Sequence, residues 1–131
     1  MKWIMVLVFV SALLVSNVVG EIDTQQIITE VETELETELP DLPYNVYVGC
    51  SPHMIPTSDG FSVDGYTIDL IIINTVLAND SPQANAIADM LVEVGVRVAS
   101  RYPDDKFWIT SIIQAKEHGG ARIVSEAFVG I

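Results

Sequence analysis

Residues 66–76, Tyr-Thr-Ile-Asp-Leu-Ile-Ile-Ile-Asn-Thr-Val, constrain this chain more than any other stretch. The run is rich in β-branched residues and too short to span a bilayer as a helix. Its apolar residues occupy both parities: Ile71 and Ile73 on one, Ile68, Leu70 and Ile72 on the other. A strand sends alternate side chains to opposite faces, so both faces of this one are apolar and both call for cover. A layer of helices covers one. The other points either to a partner or second copy packed sheet to sheet, or to a central strand that is only locally greasy.

The flanking sequence supplies the helices. Residues 22–39 carry Ile28, Val31, Leu35 and Leu39 on one helical face, with Glu30, Glu32, Glu34, Glu36 and Glu38 directed outward. Asp23 is the expected N-cap, with Gln26 placed as in a capping box and Ile22 and Ile27 as a hydrophobic staple. Pro40 ends the helix. A second helix begins with Ser81 as N-cap and Pro82 in the first turn, and ends near Tyr102-Pro103. Its apolar face is Ile87, Leu91, Val94 and Val98, and Glu93 precedes Arg97 at the favourable spacing.

Residues 44–50 alternate as a short strand, and residues 51–65, with two prolines and two glycines, read as a long loop. Residues 106–115 and 122–129 read as two more strands around a hairpin loop at 116–120. The order is αββαββ, with Leu39-Pro40-Asp41 echoed by Tyr102-Pro103-Asp104. The expected fold is α+β, one domain over residues 21–131. Four antiparallel strands form the sheet, with both helices on one face.

Residues 1–20 stand apart. Lys2, an apolar run from Trp3 to Val15, and small residues Val18 and Gly20 match a secretory signal cleaved after Gly20. The alternative is a retained anchor, because Trp3 to Val19 is at the short limit of a spanning helix. Either way the expected location is secreted or on the outer face of the cytoplasmic membrane. Beyond residue 20, five basic residues face 18 acidic ones, a net charge of −13. That field repels nucleic acid and anionic lipid.

Few residues carry chemistry. Cys50 is the sole cysteine, so the chain has no internal disulfide. Cys50, His53 and Met54 form a cluster of soft ligands suited to copper or zinc, with His118 as a further histidine. The tetrapeptide Cys50-Ser51-Pro52-His53 resembles the copper-ligand loop of plastocyanin-type cupredoxins. That family implies a Cys and a His as ligands, a Met several residues on, and an upstream His. Here Met54 follows His53 directly, no His lies upstream, and two helices replace an all-β sandwich, so the family is not assigned. Asp59-Gly60 and Asp64-Gly65 fail the calcium-loop spacing and read as turns. Asn79-Asp80-Ser81 has the form of a glycosylation sequon, with Ser81 committed to capping. No phosphate loop, nucleophile elbow or zinc-protease motif occurs.

Two functional expectations follow. One is an exported, non-catalytic module that binds a protein partner or a second copy of itself, or serves the cell envelope. The other is a small copper- or zinc-handling protein using Cys50, His53 and Met54. No catalytic residues are assigned.

Overall fold

The computed structural model describes residues 22–75, 81–115 and 121–130. The element order is αββαββ: α1 (Thr24–Glu38), β1 (Val46–Thr57), β2 (Gly60–Thr75), α2 (Pro82–Ala99), β3 (Phe107–Ala115) and β4 (Ala121–Val129). The strands lie in the order β1-β2-β3-β4 in one sheet, and the helices pack on it as a second layer.

The helix starts follow their caps. Asp23 accepts hydrogen bonds from the Gln25 and Gln26 amides, and Ser81 accepts one from Ala84 N with Pro82 in the first turn. Thr29, Thr33 and Thr37 each return a hydroxyl proton to the carbonyl four residues back, so the polar face of α1 satisfies its own donors. The buried stripe of α1 is Ile27 and Val31, with Leu35 and Leu39 half-buried against the core. Ile27 thus takes the place expected for Ile28. The hydroxyl of Tyr66 accepts from the Ile22 amide at 3.1 Å, which ties the entry of α1 to β2.

The expected all-antiparallel sheet is corrected. The outer pairs β1–β2 and β3–β4 are antiparallel, but β2 and β3 run parallel. The cause is connection length. A hairpin reverses the chain in two residues, whereas the link from β2 to β3 contains α2, which carries the chain back to the start of the sheet. The expected loop at 51–65 is also corrected. β1 continues through it to Thr57, Ser58 and Asp59 make the turn, and Gly60 takes it at φ +129 before β2 sets out. Pro52 and Pro56 are admissible because β1 is an edge strand, where a missing amide leaves no inner ladder broken. The expected hairpin loop at 116–120 lies outside the described residues.

The core lies between the layers. Tyr66, Ile68, Leu70 and Ile72 of β2 meet Phe107, Ile109 and Ile113 of β3, and all are buried with Ile87, Leu91, Val94 and Val98 of α2. Gly95 lets α2 settle there: a Cβ at this position would lie 2.6 Å from Ile109 Cγ2 and 3.4 Å from Leu70 Cδ1. Among the described residues no helix is long and apolar enough to cross a membrane.

The two helices are also tied to each other by charge. Arg101 bonds both Glu30 and Glu34, Arg97 bonds Glu38 at 3.1 Å, and the Tyr102 hydroxyl donates to Glu30. Three of the glutamates expected to face solvent therefore rail α1 to α2. Arg97 reaches across to α1 as well as lying four residues after Glu93 on its own helix.

Candidate functional site

Strand parity separates the ligands that the sequence grouped. Cys50 pairs with Ile68 and packs half-buried against the core, on the helix side of the sheet. His53, three residues on, stands opposite Gly65 and lies against Trp108 on the other side. Met54 follows a register shift and is exposed on the arm of the hairpin. The strand therefore does not bring Cys50 and His53 to one point. Burial, then the charge of Asp69, pushes the Cys50 thiol up to about 12. It is a thiol rather than a thiolate at neutral pH and is not activated as a nucleophile. Among the described residues no group of three or more His, Cys, Asp or Glu converges as a metal site. His118 lies outside the described residues.

The register assembles a different feature, on the face that the helices leave open. Tyr47 pairs with Ile71, Ile71 with Ile112, and Ile112 with Ile123. These four residues form an apolar row straight across all four strands. Ile73 extends it on β2. At the outer strands the row is open to solvent: Tyr47 is 55% exposed and Ile123 53%.

A polar row follows, Gly49, Asp69, Thr110 and Glu126, in which the Thr110 hydroxyl donates to Asp69 at 2.5 Å. Then come Ser51, Thr67, Trp108 and Phe128. Ser51 and Thr67 share a hydroxyl bond of 2.9 Å, and the Trp108 and Phe128 rings lie 5.2 Å apart.

Trp108 is held by an absence. Gly65 has no side chain, and a Cβ there would lie 2.6 Å from the Lys106 carbonyl and 2.7 Å from Trp108 Cζ3. The gap lets the indole lean over β2 to meet His53 on β1, with ring centroids 4.3 Å apart. His53 Nδ1 is shielded, with no hydrogen-bond partner among the described residues, and Asp64 lies beyond at 3.9 Å. Lys106 stands 3.7 Å from the other oxygen of Asp64. The histidine is thus a wall of an aromatic cluster, His53–Trp108–Phe128, and this cluster edges the open face.

Past that cluster the β1–β2 hairpin runs on as a two-stranded arm, because β3 begins opposite Tyr66. It carries Met54, Ile55 and Phe61 outward, Phe61 being 71% exposed.

Tyr47, Trp108, Ile112, Ile123 and Phe128 were not singled out from the sequence. One signal was available: β3, like β2, has apolar residues on both parities, Trp108 and Ile112 on one and Phe107, Ile109 and Ile113 on the other.

One concave feature lies on the helix side. A groove of about 350 Å³ runs between Glu32, Glu36 and Leu39 of α1 and its exit and Tyr44 to Val46 at the start of β1. Burial, then repulsion by Glu36, raises the Glu32 carboxyl above its usual value. No family model, curated protein or solved structure matches the chain.

Proposed function

We propose that this protein is an exported, non-catalytic binding module that docks on a protein partner through the open face of its sheet. The observation that carries the reading is the apolar row Tyr47–Ile71–Ile112–Ile123, which crosses every strand on the side away from the helices. Apolar residues scattered singly over a surface are ordinary, but a contiguous row across four strands, with a tryptophan and a phenylalanine beyond one polar row, is the composition of an interface. The protonated Cys50 supports a non-catalytic role, since the chain's one thiol is not poised for chemistry. Export is supported by the charged start, apolar run and small residues of positions 1–20.

The test is contact mapping in the cell. A photoreactive amino acid replacing Tyr47 is expected to cross-link to protein, while the same group replacing Met90, on α2, is not. Phe128→Lys is expected to abolish the cross-link from position 47. Equal labelling from positions 47 and 90, or a cross-link that survives Phe128→Lys, would contradict the reading.

A further inference from the structure

We infer that the occupant of the open face is a second copy of this chain, packed sheet against sheet. The inference rests on the docking reading above and names the partner.

Charge selects the occupant. The chain beyond residue 20 carries −13, yet among the described residues only Asp69 and Glu126 stand by register on the open face, with Asp64 beside His53 at its edge, and Asp69 is engaged by Thr110. The glutamates of α1 and the acids of α2 lie on the helix layer, and others lie on the arm and the connecting segments. Two copies meeting through their helices bring glutamate against glutamate. Meeting through this face, they bring isoleucine against isoleucine. A basic partner, by contrast, is drawn to the acidic helix layer and gains nothing from an apolar row.

Shape permits the same pairing. The row runs across the strands, so a two-fold axis lying in the interface lays one row along the other, as an isologous contact requires. Sheets packed this way interleave their side chains with strands offset by about 30°. The area suffices. Four strands about 4.8 Å apart, over about seven residues at about 3.3 Å each, give roughly 440 Å² of flat face per copy. Two copies bring that to about 900 Å² before the relief of the side chains is counted, close to the roughly 1,000 Å² that a specific interface needs. On the arm, Ile55 stands by register on the open-face side and adds apolar surface at one end, whereas Met54 and Phe61 share the side of core-packed Val63.

The test is sedimentation velocity on the full chain, purified in the form its host accumulates, over a wide concentration range at low and high salt. The expected result is a dimer that tightens with added salt, because salt screens the repulsion between two acidic copies. Ile73→Lys, on an inner strand, is expected to weaken association by about tenfold or more, since a lysine would be desolvated at the interface. Met90→Lys, on the helix layer, is expected to leave it unchanged. Circular dichroism shows that each variant is folded, and Tyr47→Lys repeats the test at an exposed edge position. A monomer at every concentration, a dimer that loosens with salt, or a folded Ile73→Lys that stays dimeric overturns the inference. A monomer that still cross-links from position 47 to a different protein removes the second copy and leaves the docking reading standing. A monomer that cross-links to nothing removes both.

Discussion

Gly65 sets the aromatic edge of the open face by what it lacks. Alanine there meets the Lys106 carbonyl at 2.6 Å, and backbone cannot swing aside as a side-chain tip can. Gly65→Ala is expected to cost about 1–3 kcal/mol, the range for overpacking. Urea unfolding measures the loss, and tryptophan fluorescence reports the displaced Trp108. Cys50 illustrates the opposite pressure, a titratable group kept neutral by burial. Its thiol is expected to react with an alkylating reagent at pH 8 at least about tenfold more slowly in the folded protein than in urea. Stability also acquires a pH dependence. The unfolded chain releases the Cys50 proton near 9 and the Tyr102 proton near 10, whereas burial holds both up to about 12 in the folded state. Between pH 9 and 12 the unfolded state binds fewer protons, so stability falls as pH rises, while well below pH 9 these two groups contribute no slope. Thermal melting across that range checks the sign.

At the scale of elements, α2 is a compromise between propensity and packing. Alanine at position 95 would favour the helix by up to about 1 kcal/mol. It would also press on buried Ile109 at 2.6 Å, and the expected overpacking cost of about 1–3 kcal/mol outweighs the gain. Gly95→Ala is therefore expected to lower the urea midpoint, and an unchanged or raised midpoint would contradict the close seating of α2. The rail between the helices is half-exposed, so its worth is small. Arg101→Met is expected to cost about 1 kcal/mol in dilute buffer and less in high salt, read from paired urea titrations. These elements were legible in the sequence to different degrees. Asp23, Ser81 and Pro82 announce both helices because caps are local chemistry. The arm was misread as a loop because its prolines and glycines suppress strand propensity, whereas an edge strand tolerates them. The parallel central pair was missed because pairing direction follows from the long path through α2 rather than from either strand's residues. The grouping of Cys50, His53 and Met54 follows their adjacency in sequence, whereas alternation sends the first two to opposite faces.

For the whole molecule, the two apolar parities of β2 already implied two covered faces, and the helices supply cover for one. The other could not be drawn from the sequence residue by residue. Its row comes from four strands separated by up to 76 positions, Tyr47 to Ile123, and only the register aligns them. The resulting molecule is asymmetric, with acid concentrated on the helix layer and apolar surface on the sheet. The most direct measurement of the central claim is hydroxyl-radical footprinting in the compartment where the protein accumulates, compared with the same protein highly diluted. Tyr47 and Phe128 are more than half exposed in the isolated chain, and Met90 is 37% exposed on the helix layer. A docked sheet face predicts that Tyr47 and Phe128 are protected in place and become labelled on dilution, while Met90 is labelled equally in both. Free labelling of Tyr47 and Phe128 in place, or protection centred on Met90, would contradict it.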